Sequence, residues 1–133
     1  MSDNLRVLNA VKKALKQLYP GEPKGNLARH LNTLAAMIAG IVQSKSSQLP
    51  DMAAKVPDGA NPESRTKRFA RWLQNAGIEH AVYFLPFAEA LLGGLAAQTL
   101  VLAMDGSEVG RGCLALMISV IYTSHGYKLR FFA

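Results

Sequence analysis

The sequence predicts a mainly α chain with a small C-terminal β-hairpin (α+β). Three observations support this class. Apolar residues recur at helical intervals through most of residues 1–92, as in helices that bury one face. Proline and glycine stand at the ends of these periodic stretches, where they start or stop helices. Two apolar runs then flank the glycine-rich segment 106–112, which is typical of two strands joined by a turn. We therefore expect a helical region over residues 1–98 and a strand-containing region over residues 99–133.

Long apolar stripes predict the first two helices. The first runs from about Asp3 to Leu18, with the stripe opposite three lysines, and Tyr19-Pro20-Gly21 ends it. The second helix follows a loop that extends to Asn26. Its apolar residues recur at alternating spacings of four and three as far as Ile41. So broad an apolar face predicts the central helix of a small bundle.

Two shorter helices and a fifth helical segment follow. The third helix covers residues 49–56 and carries a proline near its start, where proline is tolerated. The fourth covers residues 62–75, and Asn61 is placed to cap it. The fifth segment covers residues 79–92 and contains Pro86, where we expect a bend.

Two strands are predicted at the end of the chain. Gly93-Gly94 breaks the last helix, residues 99–104 form the first apolar run, and residues 113–122 form the second. This arrangement puts the carboxylate of Asp105 at the open end of the first strand. A carboxylate there can hold a hard metal ion at the edge of a sheet. Asp-Gly after a strand is also a common hairpin signal, so the alternative is a turn residue without a chemical role.

Positive charge is concentrated in the first part of the chain. The 133 residues carry a formal net charge of +6. Residues 1–75 contain twelve Lys and Arg against five Asp and Glu, whereas residues 76–133 contain three against four. A basic helical region joined to a nearly neutral, apolar one predicts a polyanion as partner. The alternative is a generic basic surface that water solvates.

The third and fourth helices have the outline of a helix-turn-helix reader of DNA, which is a short helix, a connector and a basic helix. Phe69, Trp72 and Leu73 are predicted to anchor the fourth helix to the bundle. A cation in the first helical turn opposes the helix dipole, and a phosphate near that end would relieve the conflict. The alternative is an amphipathic helix with a solvated cationic face. The candidate DNA-binding residues are Arg65, Lys67, Arg68, Arg71 and Gln74.

Two features bear on location. The N-terminal residues lack the layout of a signal peptide, and the single cysteine, Cys113, cannot form an internal disulfide. Both predict a reducing cytoplasm. The apolar stretch 81–104 has the length of a membrane span, but Pro86, Glu89 and Gly93-Gly94 interrupt it. Membrane association is therefore the minor alternative.

Three stretches carry a resemblance to a known family. They are ARHLNTL at residues 28–34, RTKRFARWL at residues 65–73 and LVLAMDGS at residues 100–107. With residues 110–122, which look like the family's second strand, they resemble bacterial insertion-sequence transposases of the DDE superfamily. The resemblance covers residues 27–122. It implies a helical DNA-binding bundle followed by the first two strands of an RNase H-like catalytic domain, with the DNA of transposon ends as partner.

The resemblance also implies a role for Asp105. This residue matches the first acidic residue of the family's catalytic triad, in which three carboxylates hold two divalent metal ions, usually magnesium. Those ions support phosphodiester hydrolysis and strand transfer. Residues 123–133 do not fit the family's continuation, and the second Asp and the Glu have no positions in this sequence. We therefore expect a transposase truncated after its first catalytic carboxylate, inactive alone and unable to hold magnesium stably.

Three hypotheses of function follow. The leading one is the DNA-binding part of such a transposase. The alternative is a stand-alone DNA-binding module that regulates or inhibits transposition, by occupying transposon ends or by pairing with full-length transposase or with a second copy of itself. The second alternative is a small membrane-associated protein.

Overall fold

The computed structural model describes residues 2–95, 101–108, 112, 114–121 and 128–132. The chain divides into two compact units, Met1–Leu91 and Leu92–Ala133. The prediction of a mainly helical chain is confirmed. The helices are α1 (Asp3–Leu18), α2 (Gly25–Ser44), α3 (Leu49–Lys55), α4 (Pro62–Gln74), α5 (His80–Tyr83) and α6 (Leu85–Leu95), and the strands are β1 (Val101–Glu108), β2 (Leu114–Ile121) and β3 (Lys128–Phe132).

The ends of α1 and α2 follow from local chemistry. The Oγ of Ser2 accepts a hydrogen bond from the backbone N–H of Leu5 at 3.4 Å, and Asp3 adds a negative charge to the first turn. At the C-terminal end of α2, Lys45 adopts a left-handed conformation with φ of 55°. That conformation closes the last turn, and glycine more often supplies it. Both helices lie where the apolar periodicity predicts them.

The core of the first unit is built on α2. Helices α1, α3 and α4 all pack against it, so the prediction of α2 as the central helix is confirmed. Small side chains dominate its buried face, which lets its neighbours come close. The buried cluster comprises Leu8, Ala36, Met37, Ala39, Met52, Ala53, Val56 and Phe69.

Gly40 marks the closest approach of α2 and α3. A Cβ atom built on this glycine would lie 2.7 Å from the backbone carbonyl oxygen of Met52, well inside van der Waals contact. Met52 and Ala53 of α3 are in turn almost wholly buried. The missing side chain therefore sets the spacing of the two helices.

The fifth predicted segment is two helices. The chain breaks at Phe84, between α5 and α6, where φ is −124° and ψ is −54°. Pro86 does not bend a helix, because it lies in the first turn of α6, where its missing N–H has no helical partner to lose. Gly93 and Gly94 lie inside α6, so the predicted break there is wrong. Within the described residues, no helix has both the length and the apolar character needed to cross a membrane.

The second unit contains a three-stranded antiparallel sheet in the order β1-β2-β3. The sequence predicts two strands, so β3 is an addition. Strand β1 lies at an edge of the sheet, and its apolar residues remain accessible, with Leu102 60% and Met104 70% exposed. Cys113, the first residue of the second predicted strand, lies outside the described residues.

Candidate nucleic-acid interface

Helix α4 is fixed at its start and along one face. The Oδ1 of Asn61 accepts a hydrogen bond from the N–H of Glu63 at 2.8 Å, which confirms the predicted cap. Phe69 is wholly buried, and Trp72 packs at the edge of the core, so both anchor the helix as predicted. Leu73 does not, because it is 56% exposed. The anchored face of α4 is therefore narrower than the apolar pattern suggests.

Arg65 is buried and bonded within the protein, which does not favour the predicted contact with DNA. Its guanidinium is 3% exposed and is enclosed by the connector between α3 and α4. Its Nε–H donates to Asp58 Oδ1 at 2.8 Å, its Nη2 donates to the Ala60 carbonyl at 2.8 Å, and its Nη1 donates to the Ala53 carbonyl. The connector folds back over the start of α4 and supplies Asp58 and Ala60, and α3 supplies Ala53, so the buried charge has the acceptors that it requires.

Asp58 is the acidic centre of this connector. Besides Arg65, its carboxylate accepts hydrogen bonds from Arg68 Nη2 at 2.8 Å and from the Ala60 N–H at 3.2 Å. Burial alone would raise the pKa of Asp58, but the hydrogen bonds from Arg65, Arg68 and Ala60 outweigh burial and lower the pKa to about 2. The carboxylate is therefore charged at neutral pH and holds both guanidinium groups in place.

The other predicted DNA-binding residues of α4 differ in their exposure and in their bonds within the protein. Lys67 pairs with Glu63 at 2.8 Å, but both side chains are more than two-thirds exposed, so the pair is weak and a ligand can separate it. Arg71 is exposed, and its Nε–H reaches the Lys67 carbonyl at 3.4 Å. Gln74 is exposed as well, one turn further along the helix. The structure thus presents Lys67, Arg71 and Gln74 to solvent, leaves Arg68 partly exposed and withdraws Arg65.

A concave surface lies beside this face of α4. It consists of two cavities of about 440 and 390 Å³, which share Arg29, Thr33 and Arg68 as lining residues. We call the two together the basic groove. Helices α1, α2 and α4 all contribute to it. The lining residues used below are Lys12, Arg29, His30, Thr33, Arg68, Arg71, Trp72 and Asn75.

The charge of the basic groove is strongly positive. Lys12 of α1, Arg29 of α2, and Arg68 and Arg71 of α4 line it. Among the described lining residues, Asp58 is the single acidic one, and it is already bonded to two guanidinium groups. Concave surfaces lined by one sign of charge concentrate oppositely charged ligands. The groove is therefore suited to an extended polyanion.

Sequence reasoning missed two of these cations, Lys12 and Arg29. Each lies on the polar side of its own helix, which the periodicity does show. The periodicity does not show which polar sides meet, because that depends on how the helices pack. The run of residues 28–34 that carries part of the family resemblance contains Arg29 and was the available signal.

Tyr83 of α5 contacts Trp72 and His30, two residues that line the groove. The indole of Trp72 meets the ring of Tyr83 edge-on, with 6.0 Å between centroids and 78° between planes. The hydroxyl of Tyr83 is hydrogen-bonded to His30 Nδ1 at 2.8 Å. Burial, and to a lesser degree the nearby Tyr19, raises the pKa of Tyr83, so its hydroxyl stays protonated. Tyr83 therefore positions two residues that line the groove.

Two nitrogen atoms in this region have no acceptor. Arg68 Nε and Trp72 Nε1 are both buried, and neither makes a hydrogen bond within the described structure. Buried N–H groups are normally paired, and leaving one unpaired is costly. Both residues line the part of the groove that Arg29 and Arg71 also line.

Asp105 does not end its strand. Strand β1 continues to Glu108, and Asp105 lies opposite Met117 in the middle of the ladder. The predicted strand end is wrong, because Gly106 and Ser107 pair with β2 instead of forming a turn. Asp105 is exposed, and no group of three or more His, Cys, Asp or Glu residues suited to a metal occurs among the described residues. Its catalytic and metal-binding roles stay predictions.

Comparison with known proteins does not assign the chain to a family. No protein-family model, curated protein or solved structure matches the chain. The likeness to insertion-sequence transposases stays a prediction, and the geometry of the helical unit is the stronger guide to function.

Proposed function

We propose that the helical unit, Met1–Leu91, binds DNA through the basic groove. The observation that carries this proposal is the convergence of Lys12, Arg29, Arg68 and Arg71 from three helices on one concave surface. Contacts between such cations and phosphates supply most of the affinity of DNA-binding proteins, because each contact releases condensed counterions. A solvated basic face would scatter its cations, whereas here they line a shared groove.

The exposed face of α4 supplies the groups suited to reading bases. Gln74 and Asn75 carry amides, which can bond bidentately to adenine, and Arg71 can do the same with guanine. These residues lie at the C-terminal end of α4. Arg29 of α2 and Lys12 of α1 are suited to phosphates, which position the protein without reading sequence.

The proposed biological setting is DNA transposition. It rests on the resemblance of the quoted stretches to DDE-superfamily transposases, in which the second unit would correspond to the beginning of an RNase H-like domain and Asp105 to the first catalytic carboxylate. Glu108 is the one acidic residue that follows Asp105 in these 133 residues. Magnesium needs several well-placed oxygen ligands to bind stably. We therefore expect these residues to bind DNA without cutting or joining it.

The test compares two double variants that each remove two positive charges. Arg29→Ala with Arg71→Ala removes two of the four cations that line the groove. Lys13→Ala with Lys55→Ala removes two exposed lysines that do not line it. Anisotropy of a labelled DNA duplex is measured between about 50 and 200 mM salt. The groove variant should bind more weakly, and its plot of log K against log salt should be less steep by roughly two phosphate contacts.

The control variant should keep the steeper slope. Because all four side chains are exposed, both variants should fold, which far-UV circular dichroism verifies. If the two variants show equal affinities and equal slopes, the groove is not the interface and the proposal is wrong.

A further inference from the structure

The two buried, unpaired N–H groups lie on one side of α4. Arg68 and Trp72 are four residues apart, so their side chains occupy adjacent turns of the same face. Both line the part of the basic groove that Arg29, Thr33 and Arg71 also line. Two orphan donors among two further guanidinium groups call for an acceptor with several oxygens and a negative charge.

Arg68 is held so that its Nε–H stays available. Its Nη2 donates to Asp58 Oδ2 at 2.8 Å, and Asp58 is itself fixed by Arg65 and by the Ala60 N–H. One edge of the guanidinium is therefore committed to the connector. The Nε–H has no acceptor among the residues that the structure describes. Such fixed donors cost less entropy to use than flexible ones.

Trp72 is likewise held with its donor unused. The edge-on contact with Tyr83 and the packing against the core restrict its indole ring. An indole N–H can donate but cannot accept, so no cation of the groove can satisfy it. A negatively charged acceptor satisfies it and balances Arg29 and Arg71 at the same time.

We propose that the basic groove holds one phosphate group of a nucleic-acid backbone in a fixed position, with Arg68 Nε–H and Trp72 Nε1–H donating to its oxygens. Arg29 and Arg71 supply the balancing charge. This inference rests on the proposed function and adds a defined anchor to it. Because both nitrogens are covered by protein, entry of the phosphate requires a local adjustment of the groove.

The anchor can be observed directly in the unmodified chain. Trp72 is the only tryptophan, so its indole N–H gives a single, assigned cross-peak in a nitrogen–proton correlation spectrum. The full chain is titrated with a DNA duplex and, separately, with inorganic phosphate. The duplex should move the indole proton to higher chemical shift, with a midpoint equal to the dissociation constant from anisotropy. Inorganic phosphate should move it the same way only at far higher concentration.

Each result of the titration bears on the anchor. An indole peak that stays in place while the duplex saturates the protein overturns the anchor but leaves the groove as an interface. A peak that moves with inorganic phosphate and not with DNA assigns the donors to free phosphate and overturns the nucleic-acid anchor. If no duplex binds at all, the proposed function fails, and the anchor fails with it.

Two conservative variants measure what the donors contribute. Trp72→Phe keeps an aromatic ring and removes the N–H, and Arg68→Lys keeps the charge and removes the Nε–H. Each should weaken duplex binding by about tenfold, as expected for a lost hydrogen bond to a charged group. Lys13→Gln is the control, because it removes an exposed charge on α1 that does not line the groove, and it should change binding by less than about threefold.

The variants also provide a second way to refute the anchor. Folded Trp72→Phe and Arg68→Lys proteins that bind within about twofold of the parent would overturn it. Should either variant lose its fold by circular dichroism, the titration of the unmodified chain decides the question alone.

Discussion

Asp58→Asn tests whether the connector between α3 and α4 holds the helical unit together. The substitution keeps the shape of the side chain and removes the charge that faces Arg65 and Arg68. The pKa of Asp58 is lowered from 3.8 to about 2 in the folded state, which corresponds to about 2 kcal/mol of stability at neutral pH. Although its side chain is only 25% exposed, the residue as a whole is exposed, so solvent screening reduces this contribution to about 1 to 2 kcal/mol. Because Arg65 would then lack a charged partner, we expect a loss of about 2 to 3 kcal/mol.

The measurement is urea denaturation followed by Trp72 fluorescence at several pH values. A folded-state pKa below the unfolded-state value means that Asp58 stabilises the fold above about pH 4 and loses this contribution as the pH falls toward 2. The difference between parent and Asp58→Asn should therefore be largest at neutral pH and shrink below pH 4. Glu63→Gln, which breaks an exposed pair on α4, is the control and should cost under about 1 kcal/mol. A neutral-pH difference no larger than the control's, or one independent of pH, would refute the reasoning.

Three further predictions concern single positions. Gly40→Ala should lower the free energy of unfolding by about 1 to 3 kcal/mol, since its Cβ would meet the Met52 carbonyl at 2.7 Å, whereas Gly93→Ala, with nothing within 4 Å, should be neutral or stabilising in the same urea titration. Asn61→Ala should cost about 1 kcal/mol by the same measurement, because α4 loses its cap. Asp105→Asn should leave DNA affinity unchanged within about twofold in anisotropy, and metal-dependent cleavage that Asp105→Asn abolishes would contradict the expected inactivity.

Most of the helical unit could be predicted because its signals are local. The apolar stripe of α1, the broad apolar face of α2 and the Asn61 cap each act within one or two turns. The break at Phe84 could not be predicted in the same way. Proline marks the segment, but its place in the first turn of α6 depends on where the helix begins, and Phe84 carries no breaking signal of its own.

The errors in the candidate site have non-local causes. Arg65 reads as a first-turn cation, and only the path of the connector shows that Asp58, Ala53 and Ala60 enclose it. The sequence does contain a local signal for this arrangement. Asp58 follows a proline and precedes a glycine, so a turn there can bring its carboxylate toward the start of α4. Asp105 was misplaced for the opposite reason. The local Asp-Gly signal suggests a turn, but pairing with β2 continues past it.

The Arg65 contacts also limit where the chain tolerates extra length. The carbonyls of Ala53 and Ala60 and the carboxylate of Asp58 reach one guanidinium from both ends of a short connector, so its length is matched to that side chain. One inserted residue between Val56 and Asn61 would move these acceptors apart and leave the buried guanidinium of Arg65 without its partners. A random insertion library should therefore be depleted in this connector and populated around Gly21, an exposed loop glycine with open space around it.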